Sequence, residues 1–187
     1  MPPLTIRVAS SARDAAAIQA IYAPIVAHTP ISFETEPPGV AEIERRIGKT
    51  LERFPWFVGE DEQGRVAGYV YASQHRERAA YRWAVDVTAY VREDCRKQKV
   101  AQRLYERLLA ELAALGYHQA CAGITQPNAA SVALHESVGF RPVGVYRRIG
   151  YKLGAWHDVG WWQCELTSAG GDDAPAKPRM FAARATD

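Results

Sequence analysis

The sequence predicts a single-domain α/β fold, and two features of its 187 residues carry this prediction. The first is the stretch Tyr81–Phe140, which reads as strand, loop, helix, strand, polar turn and helix. This order is typical of a right-handed crossover unit with a ligand site at the carboxyl ends of its strands. The second is a hairpin, in which the polar turn Asp61–Gly64 joins two apolar strands.

The elements before the crossover unit follow from hydrophobic periodicity. Leu4–Val8 alternates as a strand, and an amphipathic helix follows it and stops before Pro30. A second helix is predicted from Val40 to Leu51. The two strands of the hairpin are predicted at Phe54–Val58 and Val66–Tyr71.

Phe33 stands in the loop between the two helices, and prolines bound that loop. An apolar side chain there is either a core plug or a pocket wall. The residues alone favour the plug.

The crossover unit itself is predicted element by element. In order, it consists of strand Trp83–Val91, loop Arg92–Ala101, helix Gln102–Leu115 closed by Gly116, strand His118–Ile124, the turn Gln126–Ser131 and a helix ending at Val138. The leucine stripe of the long helix is core, because it repeats at three and four residues.

Asp86 interrupts the otherwise apolar strand Trp83–Val91. Aspartate is disfavoured in strands, so this carboxylate must be paired, solvated in a cleft or used in chemistry. A structural ion pair with an arginine such as Arg82 and a functional role are both consistent with the sequence.

The end of the chain is predicted to form two late strands followed by a tail. The strands are Pro142–Tyr146 and His157–Leu166, and Gly150–Trp156 links them. From residue 168 the composition shifts to Gly, Ala, Pro, Asp and Lys. We therefore predict a domain at residues 1–167 and a flexible C-terminal tail at residues 168–187.

Composition argues against several classes of function. The net charge of +2 is too weak to indicate nucleic acid or an anionic membrane as a partner. No apolar run approaches the roughly 20 residues of a membrane span, and no secretory signal is visible, so a cytoplasmic protein is expected. The three cysteines show neither zinc spacing nor a disulfide framework, and no metal site is predicted.

Several short motifs together resemble one family of enzymes. They are Phe33-x-Thr35-Glu36-Pro37, Pro55-Trp56, Ala67-Gly68, Ala80-Tyr81-Arg82-Trp83, Leu134-His135-Glu136 and Gly154-x-Trp156-His157-Asp158-Val159-Gly160. With the crossover unit, they resemble the phosphinothricin N-acetyltransferase family of the GNAT superfamily over roughly Thr5–Leu166. The resemblance implies a central mixed sheet flanked by helices, acetyl-CoA as co-substrate and a homodimer.

The resemblance also implies where acetyl-CoA binds. Backbone amides of a loop that leads into a helix N-terminus suit a pyrophosphate. The superfamily loop reads Gln/Arg-x-x-Gly-x-Gly/Ala, and here Arg96 and Ala101 fit it while Lys99 replaces glycine. The implied acetyl-CoA residues are Ala89, Tyr90, Val91, Arg96, Lys97, Gln98, Lys99, Val100, Ala101, Gln102, Asn128 and Ser131.

Lys99 leaves two outcomes open. A lysine in a left-handed conformation costs about 1 kcal/mol or more, so CoA binding could be weakened or lost. The same side chain could instead offer a cation to the phosphates.

The resemblance implies roles for the remaining site residues. Asp86 aligns with the family's glutamate as general base, and His135 is the candidate acid/base partner. A backbone N–H near Ala89–Val91 would stabilise the oxyanion. The acceptor residues would be Arg76, Arg78, Tyr81 and Phe33.

The implied acceptor is a small amino acid with a second anionic or oxygen-rich end, such as phosphinothricin or methionine sulfone and sulfoximine. A peptide N-terminus, an antibiotic, or a non-catalytic relative that has lost CoA are the alternatives.

Overall fold

The computed structural model describes residues 3–167 and 175–181. Its helices and strands are, in chain order, β1 (Thr5–Val8), α1 (Ser11–His28), α2 (Val40–Leu51), β2 (Trp56–Glu60), β3 (Val66–Gln74), β4 (Ala84–Val91), α3 (Val100–Leu115), β5 (Gln119–Gln126), α4 (Ala129–Ser137), β6 (Arg141–Lys152) and β7 (Ala155–Glu165). The predicted crossover unit is therefore confirmed, with boundaries shifted by a few residues.

The strands form one mixed sheet in the order β1-β2-β3-β4-β5-β7-β6. Only β4 and β5 pair in parallel, and the other neighbours are antiparallel. Parallel strands need a crossover connection, which α3 supplies here. The α/β prediction with a central mixed sheet flanked by helices is confirmed.

Two hydrophobic clusters cover opposite faces of the sheet. The cluster on one face contains Ile18, Ile47 and Val58, and joins α1 and α2 to the first strands. The cluster on the other face contains Leu104 and Leu108 of α3, as the predicted leucine stripe requires. The helices of the first cluster lie mainly over β2–β4, and Lys152 of β6 donates to the Val26 carbonyl of α1 at 2.6 Å.

Arg7 of β1 ties the first strand to the first helix. Its guanidinium donates to both carboxylate oxygens of Asp14 at 2.7 Å and to Glu60 at 2.7 Å. Asp14 is 1% exposed and also accepts the amide of Ser10 at 2.7 Å. These acidic partners raise the pKa of Arg7, so the guanidinium stays charged, although its buried Nε makes no hydrogen bond to the described residues.

The late strands are longer than predicted. Residues Gly150 and Tyr151 pair with His157 and Trp156, so most of the predicted linker is strand. The turn is confined to Leu153 and Gly154, both with positive φ. The linker prediction was wrong because its glycines occur within a long hairpin.

Residues 175–181 pack against the domain, which corrects the flexible-tail prediction for this segment. Phe181 is 7% exposed, its amide donates to the Arg53 carbonyl at 3.0 Å, and its ring packs edge-on against Phe57. The Arg179 amide donates to the Leu115 carbonyl at 2.8 Å. The buried ring of Phe181 therefore holds this segment against the domain, although the composition of the segment is typical of a loop. The rest of the predicted tail, residues 168–174 and 182–187, lies outside the described residues.

Phe181→Ala is expected to lower the free energy of unfolding by roughly 3 kcal/mol, because it empties a buried aromatic site. Urea unfolding followed by circular dichroism measures the change. Met180→Ala is the matched control, since Met180 is 68% exposed and its loss should cost about 0.5 kcal/mol or less. Equal stability of both variants would contradict the packing of this segment.

Candidate active site

The strands β4 and β5 separate at their carboxyl ends. They pair only at Ala84–Asp86 with Gln119–Cys121, although β4 continues to Val91 and β5 to Gln126. Beyond Asp86, backbone groups of β4 that point away from β3 therefore have no β5 partner along the ladder. The predicted ligand segment Ala89–Val91 lines this opening.

Two helices begin at the same edge of the sheet. The end of β4 leads through Arg92–Lys99 into α3, and the end of β5 leads through Pro127 and Asn128 into α4. Helix N-termini carry partial positive charge and unpaired amides. This edge therefore suits an anionic ligand.

The loop before α3 has an alternating backbone. φ is −65° at Arg96, 61° at Lys97 and 62° at Lys99, and Gln98 between them is not in the positive-φ region. Alternation of this kind gathers successive amides into an anion-binding concavity.

The first amides of α3 extend this concavity. The Arg103 amide makes the first hydrogen bond of the helix, which it donates to the Lys99 carbonyl at 3.1 Å. The amides of Val100, Ala101 and Gln102 precede it and have no partner within the helix. The side chains of Arg96, Lys97 and Lys99 are exposed, so three cations stand beside this concavity.

Lys99→Gly is expected to raise the free energy of unfolding by about 0.5–1 kcal/mol, because glycine relieves the left-handed strain. Acetyl-CoA affinity should be unchanged or tighter, since the amides stay in place. Thermal unfolding with and without acetyl-CoA measures both effects.

Gln98→Gly is the matched control for this substitution. Its φ is not positive, so glycine there adds only unfolded-state entropy and should lower stability. A large loss of acetyl-CoA affinity in Lys99→Gly would show that the ammonium, not the backbone, holds the phosphates.

Asp86 is paired, but with a partner that the sequence analysis did not name. His75 Nδ1 lies 2.6 Å from Asp86 Oδ1. Arg82, the partner considered from sequence, instead donates to the Ala79 carbonyl at 2.8 Å. Among the described residues, Asp86 Oδ2 makes no hydrogen bond, so it can accept one from a ligand.

Burial controls the ionisation of this carboxyl group. Desolvation raises the pKa of Asp86, and the hydrogen bond from His75 partly opposes that rise. The side chains of Asp86 and His75 are 29% and 16% exposed. A half-buried carboxylate with a raised pKa is a stronger base than an ordinary aspartate.

The predicted acceptor residues come together beside this pair. Arg76, Arg78 and Tyr81 line a cavity of about 450 Å³, together with Arg53, Lys177 and Arg179. Asp86 is not among its lining residues, but the His75 ring lies 5.8 Å from the Tyr81 ring. The cavity is strongly cationic, which suits an anionic acceptor.

Phe33 and Trp161 lie on the β6–β7 side of the site. The Phe33 ring contacts Gly150 closely and lies 6.3 Å from the His157 ring. Trp161 stands edge-on to His75 at 6.2 Å, and its buried indole N–H has no hydrogen-bond partner in the described chain. Phe33 is 39% exposed, so it is not the core plug that the residues alone favoured.

His135 does not have the surroundings expected of a proton-transfer residue. It is 6% exposed, and its Nδ1 lies 2.7 Å from the Ser131 carbonyl, which can only accept. Nε2 must then accept a hydrogen bond from the Tyr105 hydroxyl, which lies at 2.9 Å. Burial lowers the pKa of His135. With both nitrogens occupied, this geometry favours a packing role between α3 and α4, and the acid/base role stays a prediction.

Asn128 and Ser131 form the start of α4. Asn128 Oδ1 accepts the Ser131 amide at 3.1 Å, which is an ordinary helix cap. The Ser131 hydroxyl lies 3.3 Å from His135 Nδ1. Their contact with CoA stays a prediction, and its support is that both residues lie just after β5, at the edge of the opening.

Sequence reasoning missed His75, Cys121 and Trp161. All three lie on the Asp86 face of the sheet: Cys121 pairs with Asp86, and Gly123, two residues further along β5, pairs with Trp161. Strand register is the only signal that could have found them.

Comparison with known proteins places the chain in a class. Residues 6–161 match the family model of the acetyltransferase (GNAT) domain. The chain therefore belongs to the GNAT superfamily of N-acetyltransferases, and the fold and the strand opening described above agree with this.

Individual relatives define the family more narrowly. The chain is 38% identical over 177 residues to phosphinothricin N-acetyltransferase of Streptomyces viridochromogenes, covering 95% of this chain and 92% of that protein. It is 32% identical to L-methionine sulfoximine/L-methionine sulfone acetyltransferase of Salmonella typhimurium, covering 91% and 99%.

A solved structure agrees with these relatives. The GNAT superfamily phosphinothricin acetyltransferase of Sinorhizobium meliloti, in complex with AcCoA, matches with a TM-score of 0.87 and 33% identity over 93% of this chain and 94% of that one. The chain belongs to the phosphinothricin N-acetyltransferase family.

No helix in the described part of the chain combines the length and apolarity that crossing a membrane requires.

Proposed function

We propose that this enzyme transfers the acetyl group of acetyl-CoA directly to the amino group of a small amino acid of the phosphinothricin or methionine sulfoximine type. The observation that carries the proposal is the position of Asp86. It is the last β4 residue that pairs with β5, so it stands where the opening between the strands begins. An unbonded carboxylate oxygen therefore stands where the opening begins, the unpaired strand amides line it up to Val91, and the anion-binding loop follows the end of β4.

The residues that would hold acetyl-CoA are those of the alternating loop and the strand opening. The amides of residues 97–102 and the N-terminus of α3 would bind the diphosphate, and the unpaired strand amides near Ala89–Val91 would stabilise negative charge on the acetyl oxygen. Acetyl-CoA supplies the activated acyl group. The exposed cations beside the loop would add long-range attraction for the phosphates.

Asp86 and His75 would handle the proton of the acceptor amine. Amines are mostly protonated near neutral pH, so a base must take a proton before the nitrogen can attack. Asp86 Oδ2 accepts it directly or through a water, because aspartate is one methylene shorter than the family's glutamate. His75 donates to Oδ1 and fixes the carboxylate orientation.

The acceptor's anionic end would bind the cationic cavity. Arg76 and Arg78 are exposed there, and a guanidinium can donate two parallel hydrogen bonds to a carboxylate, phosphinate or sulfoximine oxygen. The unpartnered Trp161 N–H offers a further donor. Phe33 would close the apolar side.

An acceptor panel tests this proposal. The purified chain is incubated with acetyl-CoA and either phosphinothricin, methionine sulfoximine, methionine sulfone or a peptide with a free N-terminus. Released CoA and the mass of the acceptor are measured together. We expect acetylation of the small acceptors with matching CoA release; acetylation of the peptide alone would contradict the proposal.

A homodimer is part of the proposal. The β6–β7 hairpin exposes a set of large apolar side chains, namely Val143, Val145, Tyr146, Ile149, Tyr151, Leu153 and Trp156. An exposed apolar surface of this kind is typical of an interface. Trp156 belongs to this exposed set, whereas Trp162 is buried in the core and Trp161 lies beside His75. Sedimentation analysis measures the assembly.

A further inference from the structure

Three potential metal ligands meet on one face of the sheet. They are His75 just after β3, Asp86 on β4 and Cys121 on β5. Asp86 pairs with Cys121 across the parallel strands and with Ser73 across the antiparallel ones. His75 follows Ser73 by two residues, so strand alternation brings its side chain to the same face.

The donor atoms are close enough for one ion. His75 nitrogen, an Asp86 oxygen and Cys121 sulfur all lie within 4.8 Å of one another. A tetrahedral zinc site separates its donors by roughly 3.3–3.7 Å, as its bond lengths require. The His75–Asp86 contact of 2.6 Å would therefore open slightly, and the thiol would approach by at most about 1.5 Å, given bond lengths of this kind.

We propose that His75, Asp86 and Cys121 form a Zn²⁺ site with a fourth position open to water. Imidazole and thiolate ligands favour zinc over magnesium or calcium, which prefer oxygen donors. All three side chains are partly exposed, so an ion can reach them from solvent. The sequence hides this site because its ligands are far apart along the chain.

The binding step releases protons. The Cys121 thiol loses its proton to solvent on forming the sulfur–metal bond, and the His75 nitrogen that binds must be unprotonated. Metal affinity should therefore fall as the pH is lowered.

Zinc at this position would inhibit acetyl transfer. It would engage the Asp86 carboxylate and replace the hydrogen bond from His75. This consequence rests on the proposed function, whereas metal binding itself does not.

Cobalt titration tests the site directly. Co²⁺ is added to the metal-free chain, and thiolate-to-cobalt charge-transfer absorption is recorded in the near ultraviolet. Zn²⁺ affinity is measured by calorimetry on the same protein. We expect one site, a charge-transfer band that Zn²⁺ removes, and at least a tenfold weaker Zn²⁺ affinity in Cys121→Ser.

Cys164→Ala is the matched control, because Cys164 is a buried cysteine outside the cluster, and it should keep both the band and the affinity. A missing band in the wild type, or wild-type Zn²⁺ affinity in Cys121→Ser, would overturn the site. Zn²⁺ binding without inhibition supports the site and removes Asp86 from the proposed reaction. If none of the small acceptors is acetylated but Zn²⁺ still binds, the proposed function is wrong and the metal site stands.

Discussion

Asp86→Asn should lower kcat by about 10²–10³-fold and leave acetyl-CoA affinity within about twofold of wild type. Loss of a general base typically costs this much, and asparagine keeps the shape of the side chain while removing its basicity. Steady-state kinetics with phosphinothricin, combined with calorimetric titration of acetyl-CoA, measure the two effects separately.

The pH profile gives this prediction a second readout. Burial raises the pKa of Asp86 above its ordinary value of 3.8, and only the carboxylate form accepts a proton. In the wild type, kcat/KM should therefore rise with pH along a limb that lies above pH 3.8. The Asn variant should lose that limb.

Asp86→Glu is the conservative control, since it restores the carboxylate of the family and should recover most of the activity. His75→Ala should reduce turnover less than Asp86→Asn, because His75 acts by orienting the carboxylate. If Asp86→Asn retained wild-type turnover, the base assignment would fail.

Asp14→Ala should lower the free energy of unfolding by about 3 kcal/mol. Removing one partner of a buried ion pair typically costs 3–5 kcal/mol, because the other charge stays buried. Arg7 keeps Glu60 as a partner, which places the loss at the lower end. Urea unfolding at neutral pH measures it.

Arg13→Ala is the matched control for this network. Arg13 also pairs with Glu60, but its side chain is 58% exposed. Exposed ion pairs contribute at most about 1 kcal/mol. A loss in Asp14→Ala no larger than that in Arg13→Ala would show that burial does not strengthen the Arg7 contacts.

The hydrophobic pattern and the short motifs of the sequence predicted those features of the fold that depend on residues close together in the chain. The leucine stripe gave α3, and Gly116 marked its end, where φ is 92°. The aspartate within an apolar strand indicated that Asp86 is paired, solvated or used in chemistry, and in the structure it is paired with His75. The family loop identified Lys99 as the residue that takes the left-handed conformation of a glycine.

The side-chain partners that depend on long-range packing could not be predicted from the sequence. The partner of Asp86 is His75 rather than Arg82 because strand register, not proximity in the chain, brings them together. His135 became a core residue because Tyr105 of α3 lies within hydrogen-bond reach. Phe181 holds the described tail segment in place through one buried ring. The amino-acid composition of the whole tail does not reveal the effect of this single residue.

Acetyl-CoA binding measured against truncated donors tests the central claim most directly, namely that the amides between Arg96 and Gln102 bind a diphosphate. Calorimetry would compare acetyl-CoA, acetyl-dephospho-CoA and S-acetyl-pantetheine. We predict that the first two, which both carry the diphosphate, bind within about tenfold of each other, and that S-acetyl-pantetheine binds at least a hundredfold more weakly. Equal affinity for all three donors would contradict the account.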